Sequence, residues 1–168
     1  LQYEILAETN QYVIELASKN DIPVMWNFAP AREIDRSYIG QVKYLVLNEV
    51  EAEFLTDIKV TDPETARMAA GKLMAGGTEM VIITLGSRGS LAFRGEEVYE
   101  VPAFRVDAVD TTAAGDVFCG SLAVAIMEGK VMDEALRFAN AAAALSVTRM
   151  GAQPSAPRRE EIDRFLRG

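Results

Sequence analysis

Histidine is absent from the 168 residues, and cysteine occurs once. Without histidine there is no Ser-His-Asp triad, no imidazole base and no His-ligated metal. With a single thiol there is neither an internal disulfide nor a thiolate zinc cluster. No apolar run approaches the roughly 20 residues that a membrane helix needs. The opening Leu1-Gln2-Tyr3-Glu4 has neither the basic nor the long apolar region of a signal peptide. Basic side chains number 17 against 25 acidic ones, a net charge of -8, which argues against nucleic-acid partners because these require a basic face. Neither Gly-x-x-x-x-Gly-Lys-Ser/Thr nor Gly-x-Gly-x-x-Gly occurs, so P-loop and Rossmann-type readings lack their fingerprints.

What is present is an ordinary globular composition, 49% hydrophobic and 25% charged, which excludes disordered, collagen-like and coiled-coil classes. The length fits one domain, since domains run about 50–250 residues. The low cysteine content fits a reducing, cytoplasmic location. Ile5, Tyr12, Val13, Leu16 and Ala17 fall near helical spacing and predict an amphipathic helix over 4–19. Residues 22–27 and 44–47 read as short buried strands, the second followed by an acidic helix over 49–56. Asp62-Pro63-Glu64 is a helix start with proline at the first helical position, and Gly76-Gly77 is its stop. Residues 80–85 form another buried strand. Strands alternating with helices imply βαβ units, a mostly parallel sheet and an α/β fold with helices on both faces. Beyond Leu85 the pattern changes: residues 90–93 and 98–101 flank Arg94-Gly95-Glu96-Glu97 as an antiparallel hairpin. Two Ala-rich helices over 114–128 and 132–149 and a last helix over 159–167 complete the inventory. The sheet is incomplete as it stands, and the chain starts with Leu rather than Met, so the expectation is a piece of something longer.

The segment richest in chemistry is Asp110-Thr111-Thr112-Ala113-Ala114-Gly115-Asp116. Small residues end a loop where an apolar helix starts, and a helix N-terminus presents unpaired N–H groups and the positive end of the macrodipole. Small side chains let an anion approach those amides closely, so a phosphate can be held without lysine. Asp116 in the first turn is placed to accept a proton from an attacking hydroxyl. The competing reading is plain capping, because Asp is favourable in any first helical turn.

This stretch resembles the C-terminal signature of the ribokinase-type, or phosphofructokinase-B, sugar kinases. Four further segments resemble that family in order and spacing: Asn27-Phe28-Ala29-Pro30-Ala31, with Phe28 a departure; Asn48-Glu49-Val50-Glu51; Thr84-Leu85-Gly86-Ser87-Arg88-Gly89; and Gly151-Ala152-Gln153-Pro154-Ser155. The resemblance runs from Gln2 to about residue 165. It implies a ribokinase-like three-layer α/β/α fold, of which this chain is the C-terminal half of one kinase domain, without the lid or the Gly-Gly sugar clamp. The implied reaction is transfer of the ATP γ-phosphoryl to the 5-hydroxyl of D-ribose. Alternatives are deoxyribose or another sugar or nucleoside as acceptor, and, in a different class, a non-catalytic nucleotide-binding fragment.

The resemblance also implies roles. Asp116 is the base, and Ala113, Ala114 and Gly115 form the anion hole. Asn48, Thr84, Leu85, Gly86, Ser87, Arg88, Gly89, Gly115 and Asn140 bind ATP. Glu51 orders Mg²⁺ through water, and Glu4 with Asp116 contacts the sugar. Asp110, Thr112, Ser146, Arg149, Gly151 and Ser155 match a site for a monovalent cation, K⁺, working mostly through backbone carbonyls. A homodimer through the lid is expected of the complete protein, with no nucleic-acid or membrane partner. Each role has a structural competitor: Asn48 as an N-cap, Asn140 as a buried helix polar residue, Glu4 as frayed surface.

Overall fold

The structure, a computed structural model, describes all of residues 1–168. The chain divides into two compact units, residues 1–85 with 91–98, and residues 86–90 with 99–168. Five strands form one sheet in which they lie side by side in sequence order. No helix is long and apolar enough to cross a membrane.

The first unit is built on three parallel strands, β1 (Met25–Asn27), β2 (Tyr44–Asn48) and β3 (Met80–Thr84). Leu45, Val46, Leu47, Val81, Ile82 and Ile83 are all buried, as a parallel sheet covered on both faces demands. Helix α2 (Glu49–Thr56) starts at a reciprocal capping box between Asn48 and Glu51. Helix α3 (Pro63–Met74) starts where Asp62 Oδ1 accepts from the Thr65 amide at 2.8 Å, with proline in the first turn. The hairpin is as predicted, β4 (Ser90–Arg94) and β5 (Glu97–Val101), although both strands reach further into the turn, which centres on Gly95 at φ +56°.

The strand expected over 22–27 shrinks to Met25–Asn27 and leaves Ile22 exposed, and two further features of this unit differ from the sequence reading. Helix α1 spans Ala7–Lys19, because Leu1–Tyr3 instead run beside β1: Gln2 bridges Asn27 in parallel, and the Tyr3 amide donates to Ala29 O at 3.0 Å. The buried face of α1 is Asn10, Ile14 and Ala17, while Tyr12 and Leu16 are 66% and 48% exposed. The helix phase is set by Asn10, whose Nδ2 donates to Gln2 O at 2.9 Å and so brings a polar residue into the core. In the same core the rings of Tyr3, Trp26 and Phe28 pack with centroids 5.4–5.5 Å apart. The second difference is a 3-10 helix over Arg36–Gln41, in the stretch read as loop. Asp35 caps it, and Gly40 lies so close to the turn after α3 that a Cβ there would sit 2.0 Å from Gly76 O. Buried Thr78 completes the tie by donating to Ile39 O at 2.6 Å.

The second unit is helical: α4 (Ala114–Met127), α5 (Met132–Ser146) and α6 (Arg159–Arg167). Alanines 135, 139, 141 and 142 of α5 are fully buried, and such small side chains let helix backbones approach closely. Arg159 holds α6 by binding Glu128 and Asp163 while its guanidinium lies 4.8 Å from the centre of the Phe138 ring. Helix α4 is apolar nearly all round, yet Val124 and Met127 are exposed.

Candidate functional site

In the first unit the strand register brings two of the expected residues together. Asn48 and Thr84 are direct partners at the C-terminal ends of β2 and β3, where open parallel sheets place their ligands. Thr84 Oγ1 donates to Leu47 O at 3.2 Å, which fixes its rotamer. Asn48 Oδ1 accepts from the Glu51 amide at 2.9 Å, and the Asn48 amide donates to Glu51 Oε2 at 2.7 Å. The N-cap reading of Asn48 is therefore realised, and its Nδ2 takes part in neither bond. Glu51 is held almost out of solvent, and burial pushes its carboxyl above the ordinary value against the opposing hydrogen bonds from Asn48. No group of three acidic, cysteine or histidine side chains gathers anywhere. A single carboxylate is compatible with Mg²⁺, which keeps several waters and uses one or two carboxylates. Leu85 is half-buried. Glu4 lies exposed in the short link ahead of α1, and its backbone N–H is bonded to Gln2 Oε1.

In the second unit the loop ahead of α4 is the most constrained. Asp110 Oδ1 accepts from the Thr112 amide at 2.9 Å, and Oδ2 accepts from the Gly151 amide at 2.8 Å. The Val109 and Asp110 amides both donate to Val147 O, at 2.7 and 3.1 Å. Hydrogen bonds from Thr112, then that from Gly151, hold the Asp110 carboxyl below the usual value. Ala113 caps α4 in the left-handed region at φ 61°, which costs an L-residue about 1–2 kcal/mol. A left-handed residue followed by helical ones turns successive N–H groups into a concavity that favours anions. The Ala114 amide turns back to Thr111 O at 3.2 Å, whereas those of Ala113, Gly115 and Asp116 donate to no backbone carbonyl. Of the three small residues expected to hold the anion, two therefore present free N–H groups, and Asp116 adds a third.

The Asp116 side chain is exposed and makes no ion pair or hydrogen bond. It lines an open pocket of about 440 Å³ together with Ala113, Gly120, Ser121, Gln153 and Pro157. The sequence reading placed Gln153 in a closing segment without a role, and gave no signal for Gly120, Ser121 or Pro157 as pocket walls. Cys119, one turn along α4, is half-buried.

The residues matched to a cation site converge on the same loops. Ser146 O accepts from the Arg149 amide at 3.0 Å, and Ser155 Oγ donates to Ala152 O at 2.7 Å. The carbonyls of Asp110, Thr112, Arg149 and Gly151 accept none of the backbone bonds that knit this region, and such oxygens suit a monovalent cation. The Arg149 guanidinium is engaged by Glu161 at 2.5 Å, a partner no sequence pattern announced. Asn140 is buried, and its Nδ2 donates to Val101 O at 3.0 Å and Pro102 O at 3.4 Å, so it anchors the end of β5 rather than a neighbouring helix. Gly89, at φ +109°, approaches that same segment: a Cβ would lie 2.1 Å from Val101 O. Gly86 to Arg88 form an exposed 3-10 turn ahead of it.

The family described as pfkB family carbohydrate kinase matches residues 1–159. The chain is 40% identical over 166 residues to a ribokinase of Haemophilus influenzae, covering 99% of this chain and 54% of that protein. It is 40% identical over 167 residues to a deoxyribokinase of Salmonella typhi, covering 99% and 55%. The structure of Arabidopsis thaliana ribokinase complexed with ribose and ATP matches with a TM-score of 0.96 at 35% identity, over 100% of this chain and 55% of that one. A Thermotoga maritima ribokinase matches with a TM-score of 0.89 at 43% identity, over 99% and 55%. The chain thus spans about half the length of the curated relatives it matches.

Proposed function

The chain belongs to the pfkB family of carbohydrate kinases, and from that premise we propose that it is the C-terminal, nucleotide-handling and catalytic part of an ATP-dependent sugar kinase acting on D-ribose. The observation that carries the reading is the entry to α4, where Asp116 stands unpaired in a pocket beside amides that no carbonyl occupies. Asp116 accepts the proton of the sugar's 5-hydroxyl as that oxygen attacks phosphorus. The amides of Ala113, Gly115 and Asp116 stabilise charge on the transferring phosphoryl group. Asn48 meets the ATP phosphates, and Glu51 holds the water shell of Mg²⁺, which neutralises phosphate charge when bound. Thr84 to Gly89 line the nucleotide, and Asn140, whose Nδ2 also ties down the end of β5, contacts the nucleotide base. Glu4 contacts a sugar hydroxyl. Free carbonyls of Asp110, Thr112, Arg149 and Gly151 take K⁺, assisted by Ser146 and Ser155.

The net charge of -8 does not oppose an anionic substrate, because charges beyond about 8 Å are screened at physiological salt. Local amides and the helix end decide binding. Deoxyribose is the second acceptor to consider, since a deoxyribokinase is as similar in sequence as the ribokinase reported above. A coupled assay of the full-length gene product with ribose, deoxyribose and fructose, in K⁺ and in Na⁺ buffers, tests the reading. Preferential turnover of ribose, faster in K⁺, is the expected result. Activity on none of the three sugars, with ATP still bound, would favour a non-catalytic nucleotide-binding role, and equal rates in the two salts would remove K⁺.

A further inference from the structure

We propose that Asp110 is a positioning residue that clamps the two loops bordering the α4 entry and so holds the amides of Ala113, Gly115 and Asp116 in their phosphate-accepting arrangement. The inference rests on the kinase reading for the ligand, but the clamp itself is geometric. One carboxylate oxygen takes the Thr112 amide at 2.9 Å, immediately before left-handed Ala113. The other takes the Gly151 amide at 2.8 Å, 41 residues away in sequence and immediately before Ala152 and Gln153 on the pocket wall. The backbone completes the tie, because the Val109 and Asp110 amides share Val147 O. A carboxylate is the side chain that can accept from both amides at once; a carboxamide offers one acceptor oxygen and sets an NH₂ group against the second amide.

The clamp explains how Ala113 keeps an unfavourable backbone region. With Thr112 released, Ala113 is free to fall into the right-handed helical region, which would extend α4 by a residue and turn its amide away from the pocket. It also explains why the effect is local. Asp110 is only half-buried, whereas Phe118, Leu122, Leu136 and Phe138 are buried, and it is not among the ion-pair partners of Arg159 that secure α6.

The test uses the full-length gene product with Asp110→Ala and, in case that variant does not fold, the isosteric Asp110→Asn. Amide hydrogen exchange is read at Thr112 and Gly151 and at the core amides of Leu122 and Leu136. Binding of MgATP is compared with binding of adenosine, which has no phosphate. Losing a hydrogen bond to a charged group changes an equilibrium by about tenfold or more. The expectation for Asp110→Ala is therefore faster exchange at Thr112 and Gly151 by at least that factor, with the core amides unchanged. MgATP affinity falls by a similar factor while adenosine affinity holds. Asp110→Asn should release one of the two amides and give a smaller loss. Unchanged exchange at both amides, acceleration throughout the helices, or a parallel loss of adenosine affinity would each overturn the clamp. If the unaltered chain binds neither MgATP nor adenosine, the kinase reading fails instead, and the exchange at Thr112 and Gly151 still decides the role of Asp110.

Discussion

Replacing Gly89 with alanine puts a methyl group where the second unit has no room. The new Cβ would lie 2.1 Å from Val101 O, 2.7 Å from Ala103 N and 2.8 Å from the Pro102 carbonyl carbon, all backbone atoms. Gly89 also sits at φ +109°, which L-residues rarely adopt. Backbone strain of this kind costs about 1–3 kcal/mol, and forced overpacking costs about 1–3 kcal/mol. Relief requires moving Val101 to Ala103, which endangers the 3.0 Å bond from Asn140 Nδ2 to Val101 O, worth about 1 kcal/mol. Together these give about 3–7 kcal/mol, a large share of the roughly 5–15 kcal/mol by which domains are stable. Gly86→Ala is the control, because Gly86 is at φ +56° with nothing within 4 Å of the new Cβ, so only the left-handed penalty of about 1–2 kcal/mol applies. Urea unfolding of the two variants beside the unaltered chain reads the difference directly. Equal midpoints for the two variants would refute the close-approach argument. Because the expected ATP loop ends at Gly89, nucleotide affinity should fall with Gly89→Ala more than with Gly86→Ala.

Gly40→Ala should destabilise the first unit by about 1–3 kcal/mol through the same kind of clash, since its Cβ would lie 2.0 Å from Gly76 O; an unchanged urea midpoint would contradict it. Glu51→Gln separates stability from function. Glutamine still completes the capping box by accepting the Asn48 amide, and it removes a carboxyl whose folded value is raised by burial. A raised carboxyl contributes stability that is full below its unfolded value and lost as pH rises through its folded one. Stability relative to Glu51→Gln should therefore fall as pH rises above the ordinary 4.5, and converge on acidification; urea midpoints across pH check the sign. In the full-length enzyme the same variant should raise the Mg²⁺ concentration needed for half-maximal rate, whereas an unaltered requirement would remove Glu51 from the magnesium role.

Elements governed by local chemistry were legible from residue order alone. Asp62, Pro63 and Glu64 announce the start of α3, continuous apolar runs announce β2 and β3, and the Gly95 turn announces the hairpin. The α4 entry was legible for the same reason, since small residues and Asp116 act at short range. Features set by distant partners were not. The buried face of α1 depends on Asn10 reaching Gln2 O, so of the residues the apolar spacing singled out only Ala17 is buried. The 3-10 helix over Arg36–Gln41 exists because Gly40 meets Gly76 and Thr78 meets Ile39 O. The left-handed Ala113, the Asp110 link to Gly151 and the Arg149 pair with Glu161 all depend on tertiary geometry that periodicity does not encode. Asn140 was legible as a buried polar residue of a helix, but its bonds to the distant end of β5 were not.

The most direct test of the account is the steady-state rate of Asp116→Asn in the full-length kinase, measured with ribose and MgATP. General-base catalysis contributes about 10²–10⁴-fold, or roughly 3–5 kcal/mol of barrier. The prediction is a loss of kcat of that order, with the KM for ATP little changed because the amides of the α4 entry are intact. Turnover at the unaltered rate would contradict the assignment of Asp116 and, with it, the proposed chemistry of the whole site.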